Sequence, residues 1–288
     1  MAIRSRFNLF DWALYLFMGL LCFTTFYPFW HQFVISISTP ASYYRDWYHL
    51  WPSEFSLQAY VYNFQNPQVF RSFLVSVYVT AAGTVCGLSL AVMAGYFLSK
   101  SNLRGRNLIF LIFIIPNFIG GGLIPFYVLV SKLGMRNTYL ALFIPYLLQL
   151  HYIVLIKNYF QHLPQSLEES ARIDGANDIV ILLRIVVPTA KPMLATIGLF
   201  YAVSFWNDWF PGMIFLSDTA KAPLSLYLRS LVLQAASSIQ IPSSAMEMQA
   251  PATVRAAVIM ITILPIICIY PFLQKHFVKG IMLGAIRE

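Results

Sequence analysis

Residues 12–37 read WALYLFMGLLCFTTFYPFWHQFVISI, a run without a single Asp, Glu, Lys or Arg. A bilayer's hydrocarbon core is about 30 Å thick, and about 20 mainly apolar residues in a helix cross it. This run is therefore long enough to span a membrane, and the composition of the whole chain agrees. Of its 288 residues 59% are hydrophobic, 16% aromatic and 10% charged, with a mean hydropathy of +0.67. Soluble domains carry about 25% charged residues, so the natural solvent of this chain is a bilayer.

Cutting the chain at its charges gives five further runs, 72–99, 107–131, 137–156, 192–215 and 256–274, the fifth span of the six being unusual in holding Asp208. The expectation is an all-α membrane protein, a single transmembrane domain over 1–288. Its six transmembrane helices are expected at 10–38, 71–99, 107–131, 137–156, 192–216 and 256–274.

Orientation follows from Lys and Arg, which concentrate on the cytoplasmic side. With the N-terminus inside, the inner segments hold twelve of the nineteen, including Arg4, Arg6 and the tight 100–106 loop. The outer segments hold seven: Arg45, Arg71, Lys132, Arg136, Lys221, Arg229 and Arg255. Both termini are accordingly expected in the cytoplasm. The same bias accounts for much of the net charge of +8, and no signature for base readout occurs, so membrane lipid and not nucleic acid is the expected partner. Cys22, Cys86 and Cys268 lie in apolar runs with no CxxC, which predicts buried small hydrophobes and no disulfide framework. Arg4 and Arg6 ahead of so long a run, with no small-residue cleavage site after it, read as an uncleaved first span.

Two outer segments, 38–71 and 217–255, are long enough to fold against the membrane surface. The first holds Tyr43, Tyr44, Trp47, Tyr48, Trp51 and Tyr60, which form an interfacial aromatic belt or a sugar-contacting surface. Helices are interrupted at Pro116, Asn117 and Gly120 to Gly122 in the third span and at Pro145 in the fourth. Lipid tolerates such breaks where they face protein or a water-filled cavity, and packing through small residues accounts for them more simply than a ligand role.

Residues 168–178, EESARIDGAND, invert this composition with five charges in eleven positions. They lie in 157–191, the longest cytoplasmic segment. Pro164 and Ser166 followed by Glu168 and Glu169 make a helix start whose acids complement the dipole, and Gly175 allows a left-handed stop. From Asp178 to Val187 a second helical piece carries Ile179, Leu182, Leu183 and Val186 on one face and ends at Pro188. These residues fit a solvated loop with surface helices, and they fit equally a docking element suited to a groove of a cytoplasmic partner.

Glu169-Ser170-Ala171, three residues, Gly175, nine residues, Ile185, one residue and Val187-Pro188 resemble the EAA motif of ATP-binding-cassette importer permeases. That pattern is Glu-Ala-Ala, three residues, Gly, nine residues, Ile, one residue, Leu-Pro, so Ser170 and Val187 are conservative departures. Asp174-Gly175-Ala176 is similar to the carbohydrate branch. Tyr27-Pro28-Phe29-Trp30, Trp206-Asn207-Asp208 and the tail Lys279-Gly280-Ile281-Met282-Leu283-Gly284-Ala285 resemble oligosaccharide permeases related to the smaller permease of the maltose system. The likeness covers essentially the whole chain.

The resemblance implies a non-catalytic subunit of a bacterial inner-membrane sugar importer, forming half of the translocation path. Its substrate would be an oligo- or polysaccharide, with alginate or another uronate the best choice. It implies a homologous permease as heterodimer partner, an extracytoplasmic solute-binding protein, and two ATP-binding subunits that hold ATP and Mg. The ATPases would dock on a coupling helix in 157–191 built from Glu168, Glu169, Ser170, Ala171, Arg172, Asp174, Gly175 and Ala176. A rigid short helix can transmit a rigid-body rotation, which a floppy loop cannot.

No G-x-x-x-x-G-K-[ST] occurs, so no ATP site is expected in this chain. The five histidines never fall at metal-ligand spacing and no G-x-S-x-G elbow is present, so neither a metal nor a catalytic site is expected. Asn117 and Gln149 are expected near the bilayer midplane, with Asn207 and Asp208 nearer the outer side. Together with Tyr146, Tyr152, Trp206 and Trp209 they offer hydrogen bonds and stacking faces to a sugar, or serve as interhelical bonds and interface anchors. A bare Asp208 would repel a uronate, so a structural role suits it better. Arg71, Arg229 and Arg255 either attract an anionic sugar or anchor the surface. An ion-driven carrier would show internal repeats and paired midplane acids, and a membrane enzyme would show clustered titratable groups; neither pattern is visible.

Overall fold

The computed structural model describes residues 9–45, 48–237 and 252–285. These residues are mostly helical, and the one strand-like pairing among them is an isolated antiparallel bridge between Ser38 and Phe55. The order begins with α1 (Leu9–Ser36), α2 (Pro40–Arg45), α3 (Gln58–Gln65) and α4 (Pro67–Ser99), then α5 (Arg106–Phe118), α6 (Leu123–Lys132), α7 (Leu150–Gln161) and α8 (Gln165–Ile173). It continues with α9 (Asp178–Ile181), a π-helical turn (Leu182–Val186), α10 (Val187–Thr189), α11 (Lys191–Asn207), α12 (Phe210–Phe215), α13 (Leu224–Ser237) and α14 (Ala252–Ala285).

Three stretches are individually long and apolar enough to cross a bilayer: α1, α4 and Ala252–Ile269 of α14. Helices α5 and α6 meet at 117°, Tyr139–Tyr146 and α7 at 48°, and Asp178–Thr189 and α11 at 87°, so the number of spans reaches six when each bent pair is one span. The third and fourth runs are therefore not straight helices, and the 87° bend lies at Ala190, just before the fifth run. Between α5 and α6 the chain passes Gly120 to Gly122, poor helix formers, and Gly122 adopts φ +79°, a conformation open mainly to glycine. In the fourth run the chain makes 3-10 turns before α7 starts at Leu150, and in the fifth α11 stops at Asn207 and α12 restarts at Phe210.

The chain packs as two compact units, one comprising residues up to Pro67 with Ser230–Leu264, the other Gln68–Arg229 with Pro265 onward. In the first unit aromatic residues of the 38–71 segment fold onto the end of α1. Tyr43 stacks on His49 with centroids 5.0 Å apart, His49 meets His31 at 5.3 Å, and Trp51 lies 6.2 Å from Trp30. The Tyr60 and Ser36 hydroxyls share a hydrogen bond of 2.8 Å. Tyr44 and Trp51 remain exposed, and Trp47 lies outside the described residues. Most of α1 is apolar and exposed, a surface that suits hydrocarbon or another helix. Cys22, Cys86 and Cys268 are free and exposed, which corrects the expectation of burial: they sit on outward apolar helix faces.

The core of the second unit forms where α4 lacks side chains. A Cβ on Gly83 would lie 2.7 Å from the Phe205 ring, one on Gly87 2.7 Å from Tyr201, and one on Gly95 2.5 Å from Ile156. Small residues spaced along one helix face let backbones approach closely, which is how helices associate in lipid. Thus α4 is pressed against α11 and α7. Tyr201 is fully buried there and its hydroxyl donates to the Leu147 carbonyl at 2.7 Å.

Candidate functional site

Within the segment 157–191, one tight turn joins α8 to a continuous helical stretch made of α9, the π-helical turn and α10. Helix α8 closes with paired bonds, Ala176 N–H to the Ala171 carbonyl at 2.9 Å and Gly175 N–H to the Arg172 carbonyl at 3.0 Å. These are the 6→1 and 5→2 bonds of a Schellman stop, which needs a left-handed residue at its penultimate position. Gly175 supplies it at φ +83°. Asn177 then caps α9, its Oδ1 accepting the Val180 N–H at 2.9 Å. Across the turn Arg172 pairs with Asp178, both largely exposed.

Beyond α9 the helix widens. The Val187 N–H donates to the Leu182 carbonyl five residues back, where the missing N–H and the ring of Pro188 would break an ordinary α-helical ladder. The helix thereby runs past Pro188 to Thr189, correcting the expected stop. It also changes the buried face. Ile181, Leu182 and Val186 are buried, whereas Ile179 and Leu183 are 68% and 61% exposed, so the expected apolar face of Ile179, Leu182, Leu183 and Val186 is split. With Ile173 at 86% exposure, the loop presents isolated apolar side chains beside the exposed carboxylates of Glu169 and Asp174. Ala171 is buried, and Ser170 Oγ donates to the Ser166 carbonyl at 2.9 Å.

Glu168 reaches the 100–106 loop, where its carboxylate forms an ion pair with Lys100 at the end of α4. The pair stands at the wall of an open groove of about 940 Å³ lined by Phe97, Lys100, Glu168, Arg172, Ile179 and Leu182, among others. Charged and apolar side chains both line this groove, which suits docking against a partner.

The residues expected along a translocation path are more dispersed. Tyr152 and Trp206 are buried, Tyr152 against Tyr201 at 4.5 Å and Trp206 edge-on to Phe73 at 6.0 Å. Amide nitrogens bond locally: Asn117 to the Phe113 carbonyl, Gln149 to that of Tyr146, and Asn207 to that of Val203. Tyr146 packs edge-on to Phe126 at 6.0 Å and lies within electrostatic reach of Asp208. The Asp208 Oδ1 accepts the Phe210 N–H at 3.1 Å, so this carboxylate organises the break between α11 and α12. Trp209 has the Arg229 guanidinium 3.9 Å above its ring. Among the described residues no three His, Cys, Asp or Glu side chains gather as for a metal.

Residues 83–282 match the family described as binding-protein-dependent transport system inner membrane component. The chain belongs to this family. Among its relatives, the polygalacturonan/rhamnogalacturonan transport system permease protein YtcP of Bacillus subtilis is 38% identical over 97% of this chain and 99% of its own length. Protein LplC of the same organism is also 38% identical, over 97% of this chain and 95% of its own. A crystal structure of a bacterial ABC transporter involved in import of the acidic polysaccharide alginate contains a chain that superposes with a TM-score of 0.87 at 30% identity, covering 96% of this chain and 99% of that one. In this member of the family two contacts have no local signature in the sequence. Lys100 and Glu168 lie 68 positions apart, and Arg229 finds Trp209 through the fold of α12 and α13; only the residue types hinted at either.

Proposed function

We propose that this chain is the permease subunit of an ATP-driven saccharide importer in the bacterial cytoplasmic membrane. It forms half of the translocation path beside a homologous permease, receives substrate from an extracytoplasmic binding protein, and carries two ATPase subunits on α8. ATP and Mg belong to those ATPases and not to this chain. Six spans with both termini inside put α8 in the cytoplasm.

The observation that carries the reading is α8 itself. Glu169, Gly175 and Pro188 stand at the importer spacing, and the helix they define is short, closed by a Schellman turn and ion-paired to α4 through Lys100. Such an element turns closure of an ATPase pair into a displacement of helices. The favoured substrate is an acidic polysaccharide such as alginate or another uronate. Two relatives support that choice, one named for polygalacturonan and rhamnogalacturonan and one for alginate import.

The test is uptake by vesicles containing the complete complex. Saccharide should accumulate only with ATP, both permeases, the ATPases and the binding protein. Uptake driven by a proton or sodium gradient without ATP would overturn the proposal.

A further inference from the structure

In the second unit several chain segments are tied together at one end of α4. Gln68 Nε2 donates to the Thr219 carbonyl at 2.7 Å and the Leu224 N–H to Ser76 Oγ at 2.8 Å. The Asn137 N–H donates to the Phe215 carbonyl at 2.9 Å, and Lys221 Nζ to the Asn137 carbonyl at 2.8 Å. Helix α4 has 33 residues, so at about 1.5 Å per residue this end lies roughly 50 Å along the helix from Lys100 and Glu168.

The tied segments carry Arg71, Lys132, Arg136, Lys221 and Arg229 and two acids, Asp208 and Asp218. Neither acid is used to neutralise a cation. Asp208 Oδ1 accepts the Phe210 N–H and Asp218 Oδ1 the Ala220 N–H at 2.9 Å, and the ion pairs recorded among the described residues involve neither. The tied segments are therefore net cationic, and a field of one sign draws in ligands of the other.

Among the described residues no ion pair engages Arg229. Its guanidinium lies 3.9 Å from the Trp209 ring centroid, and its one recorded hydrogen bond goes to the Met213 sulfur at 2.9 Å. A thioether is a weak acceptor. A guanidinium lying over an indole ring can keep its edge N–H donors for a carboxylate, which it receives through two parallel bonds. The Asp208 carboxylate, which would otherwise compete or repel, is engaged by the Phe210 backbone.

We propose that Arg229, held over the Trp209 ring, is the subsite that reads the carboxylate of a uronate residue in an entering oligosaccharide, with the other four cations supplying the attracting field. The proposal rests on the importer reading and adds the residue that makes the importer selective for acidic sugars. Hydrogen bonds to charged groups are worth about 1.5–3 kcal/mol, a factor of about 10–100 in affinity.

The experiment compares wild-type, Arg229→Gln and Arg229→Lys importers, purified as intact complexes and reconstituted in vesicles. Uptake of a uronate oligosaccharide is measured beside that of its carboxyl-reduced counterpart. Arg229→Gln should raise KM for the uronate about 10–100-fold while leaving kcat and the KM for the reduced sugar unchanged. Arg229→Lys, which keeps the charge but not the fork, should recover part of the loss. An unchanged uronate KM in Arg229→Gln, or equal losses for both sugars, overturns the subsite. A wild-type importer that takes up only the neutral sugar with ATP also overturns it and leaves the importer reading standing. If neither sugar enters with ATP, the importer reading fails and the subsite fails with it.

Discussion

Lys100, just after α4, and Glu168, in the first turn of α8, form an ion pair, with the Lys100 ammonium also 4.1 Å from the Tyr96 ring centroid. The two side chains are 27% and 21% exposed, so water screens the pair less than it does an open surface pair. Exposed pairs are worth about 0–1 kcal/mol, and removing one partner of a shielded pair costs more because a charge is left behind. Lys100→Met and Glu168→Gln should each lower the saccharide moved per ATP hydrolysed several-fold. The exchanged pair Lys100→Glu with Glu168→Lys should recover part of it. Additive losses without recovery in the double variant would show that the pair does not hold α8 in place.

The glycine face of α4 gives a stability prediction. Gly87→Ala places a methyl group in the Tyr201 ring, and displacing that ring strains the hydroxyl bond to Leu147. Overpacking of this kind costs about 1–3 kcal/mol. Gly19→Ala in α1 meets nothing within 4 Å and gains about 1 kcal/mol of helix propensity. Melting in detergent should show Gly87→Ala lowered and Gly19→Ala unchanged or raised; equal melting would remove the close α4–α11 contact.

Asp208 separates a structural carboxylate from a substrate-binding one. Asp208→Asn keeps an oxygen acceptor for the Phe210 N–H and should preserve uptake and melting temperature. Asp208→Ala leaves that N–H unpaired and should destabilise the chain by about 1–2 kcal/mol. Loss of uptake in Asp208→Asn with melting intact would show that its charge, and not its acceptor, is required.

What was legible in the sequence was local. The charge-free run 12–37 and its counterparts located α1, α4 and α14 because a bilayer demands long apolar helices. The stop at Gly175 was legible because the left-handed conformation is a property of one residue and its neighbours. The bends were only partly so: Pro116, Pro145 and the glycines marked where helices weaken, while the 117° turn between α5 and α6 depends on how the pieces pack. Pro188 misled, since a π turn lets the helix continue through it and leaves Ile179 and Leu183 outside. Lys100–Glu168 and Arg229–Trp209 join residues whose spacing carries no period, so each charge was visible and its partner was not.

The central claim is that α8 couples this chain to ATP hydrolysis. Gly175→Val forces a β-branched residue to φ +83°, a left-handed conformation that costs about 1–2 kcal/mol for residues other than glycine, and Glu169→Arg reverses the exposed charge beside it. The direct measurement is ATP-driven uptake together with retention of the ATPase subunits, in complexes carrying each substitution. The account predicts that the chain stays folded in the membrane while uptake falls at least about tenfold, equivalent to 1.4 kcal/mol, through released or uncoupled ATPases. Full ATP-driven uptake with both substitutions in place would contradict it.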